Sequence, residues 1–169
     1  MQFRKPCLND IAEITAFKNE FAADGSSMDG TANLRAVTAE EWLLYIDRLE
    51  KGDIENRSRS IQYGLFDDNC RLLGLLQIRP ELKGYLVDFG GHIGYCVRPS
   101  ERRKGYAKRM LREAVEVCKK TGITDILVTC LESNVASEAT ILSCGGAYEK
   151  TVYDGVNYKA NMKRYWIKA

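Results

Sequence analysis

Arg102, Arg103, Lys104 and Gly105, followed by Tyr106 and Ala107, join positive charge to backbone freedom at the start of an amphipathic run. Such a segment suits phosphate. The unpaired N–H groups of a first helical turn point outward, and the helix dipole adds partial positive charge. Gly105 lets the backbone approach a ligand closely, and Ala107 keeps the next turn narrow. Seven cations (Arg98, Arg102, Arg103, Lys104, Lys108, Arg109, Arg112) stand between 98 and 112 against Glu101 alone, on a chain of net charge +2. A local cluster on a near-neutral chain fits a compact anion better than a long polyanion. With Tyr106 as its one aromatic, it lacks the interleaving expected for single-stranded nucleic acid. The only histidine, His92, has an ordinary pKa of about 6.5, which suits proton removal at neutral pH. Service as a hydrogen-bonded fold element is the equal alternative.

Periodicity supplies the elements that position these groups. Ala107, Met110, Leu111, Ala114, Val115 and Cys118 recur at helical spacing, and Thr121-Gly122 closes that helix. Ile126 to Leu131 reads as a buried strand, parallel to the one ending at Val97 because a crossover helix joins them. Residues 87 to 97 read as one long strand, whose glycines Gly90, Gly91 and Gly94 signal a bulge or a close backbone approach. Upstream, Ile11, Ile14, Phe17 and Phe21 predict a helix over 9–22 with Asn9 as N-cap, and residues 24 to 30 form a loop by composition. A second helix follows Thr38, where Glu41 completes a capping box and Trp42, Leu43, Tyr45, Ile46 and Leu49 form the buried side. Ile61 to Leu65 and Leu72 to Arg79 make a hairpin about Asp67-Asp68-Asn69. A short helix over 135–143 precedes Gly145-Gly146, and a terminal hairpin turns at Asp154-Gly155. The sum is α+β with a central mixed sheet.

The 169 residues fit one domain, 1–169, with a core large enough to fold alone. Apolar runs such as Ile126-Leu127-Val128 fall far short of the roughly 20 residues that span a bilayer, and the N-terminus has no apolar leader. The expectation is a cytoplasmic protein with no membrane or nucleic-acid partner. Six cysteines without C-x-x-C spacing and a single histidine predict no metal site, with Cys96, Cys118 and Cys130 as reduced core residues.

The pattern Arg-x-x-Gly-x-Ala resembles the acyl-CoA pyrophosphate loop of the GNAT acetyltransferases. The order strand, loop, helix, strand, Asn-x-x-Ser helix, Gly-Gly and terminal hairpin resembles that fold along nearly the whole chain. Arg4-Lys5-Pro6, Gly90 to Tyr95, Arg98 to Arg102 and Arg164 to Ile167 are similar to a bacterial group of predicted acetyltransferases within it. The resemblance implies a central twisted mixed sheet of about six to seven strands flanked by about four helices. It implies acetyl-CoA as co-substrate and a small-molecule amine or protein amino group as acceptor, and is compatible with a homodimer. The main chain of Cys96 and Val97, beside Tyr95, would pair with the pantetheine arm. Amides of Arg103, Lys104, Gly105, Tyr106 and Ala107 would hold the pyrophosphate, and Arg102, Arg103 or Lys104 would reach the 3′-phosphate. Asn134 would bond near the pantetheine or else cap its helix, with Ser137 in the small-residue position. The Val97 N–H would receive the oxyanion. Three bases remain open: His92, Glu132, or a water chain ending at a carboxylate. The tyrosine that many members carry seven residues after the Asn is Ile141 here, so no general acid is assigned. A non-catalytic acyl-CoA-binding module is the alternative.

Overall fold

Alternating apolar residues from 61 to 66 and a continuous apolar run from 72 to 78 place strands β2 (Ile61–Phe66) and β3 (Leu72–Ile78) at the centre of the molecule. The computed structural model describes all of residues 1–169. Seven strands form one sheet in the order β1 (Gln2–Arg4), β2, β3, β4 (Ile93–Val97), β5 (Asp125–Leu131), β7 (Ala160–Lys168) and β6 (Ala147–Asp154). All neighbours are antiparallel except β4 and β5, which the crossover helix α3 (Tyr106–Lys120) makes parallel.

Each face of the sheet carries its own core. Helices α1 (Ile11–Asp24) and α2 (Ala39–Lys51) bury Phe17, Phe21, Trp42 and Ile46 against Phe66, Leu72 and Leu75. On the other face α3 buries Met110, Leu111, Ala114 and Cys118, and α4 (Val135–Leu142) adds Ile141, against Ile93, Val128 and Tyr165. Each of the larger aliphatic and phenylalanine side chains among these stabilises the fold by about 1.5–3 kcal/mol relative to exposure. The expected capping box of α2 is present, with Thr38 Oγ1 accepting from the Glu41 N–H and Glu41 accepting from the Thr38 N–H.

Three expectations need correction. The first helix is entered by a 3₁₀ turn at Leu8–Asp10, and Asp10 rather than Asn9 stands at its N-cap, with its carboxylate accepting from the Cys7 N–H at 2.8 Å ahead of the turn. The short strand β1 carries no turn or alternation signal and was not expected. Residues 87 to 97 are not one strand: Leu86–Gly90 makes a single wide turn, and only Ile93–Val97 joins the sheet. Gly91 explains the break, because its φ is +63° and a Cβ there would lie 2.6 Å from the Leu127 carbonyl. The turn's carbonyls, lost to the ladder, are met elsewhere. Arg79 donates to Gly90 and Gly91, Arg164 to Val87 and Asp88, and Thr129 to Phe89. The turn thereby covers the sheet beside β5. No helix is long and apolar enough to cross a membrane.

Candidate active site

Parallel strands β4 and β5 touch only through Ile93 and Val128, then part. Antiparallel pairing on the other side of β4 decides which groups the split exposes. Arg98 N–H donates to the Leu73 carbonyl and Arg79 N–H to that of His92, so even-numbered residues of β4 bond to β3. Tyr95 and Val97 therefore turn their main-chain groups away from β3, into the split. Cys96, expected to pair with a ligand, instead has its main chain committed to Leu75 across the ladder. Its side chain lies under α1, where burial pushes the thiol pKa up.

A cavity of about 780 Å³ fills the split and extends to both ends of β4. At the C-terminal end of that strand stands the basic turn. Arg103 (φ +63°) and Gly105 (φ +81°) hold it in the left-handed region, and Gly105 starts α3 without any side-chain cap. The first helical bond is Arg109 N–H to the Gly105 carbonyl, so the amides of Gly105, Tyr106, Ala107 and Lys108 have no internal partner. A Cβ on Gly105 would meet nothing within 4 Å, so the ground above those amides is open. This geometry fits a diphosphate.

The cations around it divide. Arg98 is buried and bonded to Glu13 and Glu20 at 2.9 and 2.6 Å, fastening α1 to the end of β4. Arg102 bonds Asp24 and Ser26, and Lys104 bonds Glu101. Arg103, Lys108, Arg109 and Arg112 make no ion pair, and of these Arg103 and Lys108 line the cavity and remain for a ligand. Of the N-terminal carboxylates, Glu13, Glu20 and Asp24 are thus internal counter-charges of the basic cluster.

Other expected residues separate. Asn134 lines the cavity, and its Oδ1 caps α4 by accepting from the Ser137 N–H at 3.0 Å. The Ser137 hydroxyl meets the Tyr95 hydroxyl at 2.9 Å, and burial raises the Tyr95 pKa to about 12. His92 does not line the cavity. Its N–H donates to the Leu127 carbonyl at 2.7 Å and its Nδ1 accepts from the Leu127 N–H at 2.9 Å. Burial and then Arg79 lower its pKa, keeping the imidazole neutral. Glu132 also stands off the cavity, accepting from Asn161 Nδ2 at 2.9 Å. Ile141 is core.

Sequence reading passed over the far end of the cavity. Asp29 and Gly30 of the N-terminal loop, Arg79 from the end of β3, Tyr85 and Phe89 of the wide turn, and Tyr158 from the terminal hairpin meet there. Asp29 accepts from Tyr158 Oη and Ser27 Oγ, each at 3.0 Å, and burial then Asp29 raises the Tyr158 pKa. Tyr85 donates to Asp154 at 2.5 Å, and its pKa rises to about 12. A Cβ on Gly30 would fall 2.0 Å from the Gly94 carbonyl, which is why the loop reaches this strand at all.

The comparisons with known proteins agree with this architecture. No curated protein matches the sequence. A ribosomal-protein-S5-alanine acetyltransferase from Vibrio fischeri superimposes with TM-score 0.76 at 15% identity, over 99% of this chain and 92% of that one. A spermidine N-acetyltransferase variant from Vibrio cholerae gives 0.68 at 15%, over 99% and 95%. The microcin C7 self-immunity acetyltransferase, solved with acetyl-CoA and AMP, gives 0.71 at 13%, over 97% and 89%. At these identities the likeness concerns the fold alone. The model of the acetyltransferase (GNAT) family matches residues 28–145, more than two thirds of the chain, and places this protein in the GNAT family of acetyl-CoA-dependent acetyltransferases.

Proposed function

We propose that the protein transfers the acetyl group of acetyl-CoA to an amine by direct attack on the thioester inside the split. One observation carries the reading: a single cavity joins uncapped amides at the start of α3 to unpaired main-chain groups on β4 and a carboxylate beyond them. The diphosphate would rest on the amides of Gly105 to Lys108, with Arg103 and Lys108 nearby. The pantetheine arm would run along the open edge at Tyr95 and Val97, as an added strand does.

In the transfer the amine nitrogen bonds to the acetyl carbon, the carbon–sulfur bond breaks, and the amine gives up a proton. The Val97 N–H points into the split and is the donor for the oxyanion. Of the groups that could receive the proton, Asp29 has its carboxylate in the cavity, fixed by Tyr158 and Ser27. We assign it the base role, directly or through water. His92, with Nδ1 spent on Leu127, positions the start of β4. A CoA thiolate, whose thiol pKa is about 8.5 as for free cysteine, leaves without an acid, so the loss of tyrosine at 141 is tolerable.

Release of free thiol from acetyl-CoA against a panel of amines tests the reaction. Asp29→Asn should lower kcat about 100-fold while CoA affinity holds. An unchanged kcat would remove Asp29 from the chemistry, and absence of thiol release with every amine would refute the transferase reading.

A further inference from the structure

Arg79 is the one cation of the cavity's far end. Its Nη1 donates to the carbonyls of Gly90 and Gly91 at 3.0 and 3.1 Å, and its Nε to Gln77 Oε1 at 3.2 Å. Every partner is neutral. The side chain takes part in no ion pair, and its Nη2 makes no hydrogen bond. That nitrogen lies 3.1 Å from where a Cβ on Gly94 would stand, at the vertex where β4 and β5 part. Burial draws the Arg79 pKa down to about 10, against smaller opposing pulls from Tyr158 and Asp29. Such a group gains most from an anionic ligand, and a guanidinium fork matches a carboxylate.

The surroundings narrow the ligand. Asp29 faces the same space and suits an ammonium or amine. Tyr85 and Phe89, with ring centroids 5.1 Å apart, form an apolar wall beside both charges. From Gly94 to Val97 is three residue steps of strand, about 10 Å. A hydrogen bond of about 2.9 Å to Arg79, the short span of an amino-acid backbone, and an attack distance of about 3 Å together fill that interval.

Resting on the acetyl-transfer reading above, we infer that the acceptor is a free α-amino acid with an apolar or aromatic side chain, its carboxylate on Arg79 and its amine toward Asp29. Polyamines are disfavoured, because a second cation would meet Arg79. Peptide N-termini are disfavoured because their first carboxylate lies too far from the amine.

Calorimetry on the wild type, with and without CoA, decides this. L-Leucine, L-methionine and L-phenylalanine would each be compared with its own amide, and spermidine and an alanine-led tripeptide included. At least one acid should bind about tenfold or more tighter than its amide. Arg79→Gln should erase that ratio while CoA affinity is kept, and Arg79→Lys should restore part of it. Amides binding as tightly as acids, discrimination surviving in Arg79→Gln, or binding of only spermidine or the tripeptide would each overturn the inference. Binding of CoA without acid preference sinks this inference alone. Acid preference in a protein that binds no CoA preserves the Arg79 site and sinks the transferase reading.

Discussion

Gly105→Glu probes the phosphate turn through charge, and Gly105→Ala probes it through backbone alone. Gly105 sits at φ +81° with open space where a Cβ would project, so neither side chain collides with the fold. Holding a non-glycine residue in that region costs about 1 kcal/mol, which in a chain of this length lowers Tm by about 2–4 °C for both variants. They differ in the anion they face. A carboxylate about 4 Å from a diphosphate charge opposes it by about 1 kcal/mol in bulk water and about 4 kcal/mol near a protein surface. Because Gly105 is exposed, a middle figure of about 2 kcal/mol applies, or about 30-fold in Kd. Calorimetry with CoA should show near-wild-type affinity for alanine and about 30-fold weaker binding for glutamate, at matched Tm. Wild-type affinity in both variants would refute the placement of the diphosphate on this turn. Equal loss in both would show that backbone shape alone, rather than the field of the uncapped amides, governs binding.

Other variants separate structural from chemical duty. His92→Ala leaves the Leu127 N–H without its acceptor and should cost about 2 kcal/mol of stability while kcat stays within about threefold. Because the folded pKa of His92 lies below its ordinary value, the wild type loses stability as pH falls below about 6.5 toward that lower value, and His92→Ala should lack this slope in pH-resolved denaturation. A collapsed kcat would return His92 to the chemistry. Arg98→Ala strands Glu13 and Glu20 and should cost about 3 kcal/mol, or roughly 10 °C in Tm. Burial opposes ionisation of Glu20, yet bonds from Arg98 and Ser100 hold its pKa at about 2. Wild-type stability should therefore fall between about pH 4.5 and 2, and Arg98→Ala, which keeps only the Ser100 bond to Glu20, should show a smaller fall over that range.

Local signals were legible where one residue type has one use. Thr38 with Glu41 could only be a capping box, and the 107–118 repeat only a buried helix face. The residues 87 to 97 misled because glycines inside an apolar run read alike for a bulged strand and for a broken one. The difference lay in donors from Arg79, Thr129 and Arg164, all distant in sequence. The far end of the cavity was illegible for the same reason. Asp29, Arg79, Tyr85 and Tyr158 come from four segments, and nothing in local spacing joins them. The main-chain roles at β4 hinge on register: Cys96 and Val97 are neighbours, but a shift of one residue decides which faces β3 and which the split.

The most direct measurement is a titration of ¹⁵N-labelled protein with CoA, read amide by amide. The account predicts the largest shifts at Arg103 to Lys108 and at Tyr95 and Val97, with Cys96 and Gly94, bonded to β3, moving far less. Shifts confined to another surface, or none in the 103–108 turn at saturating CoA, would contradict it.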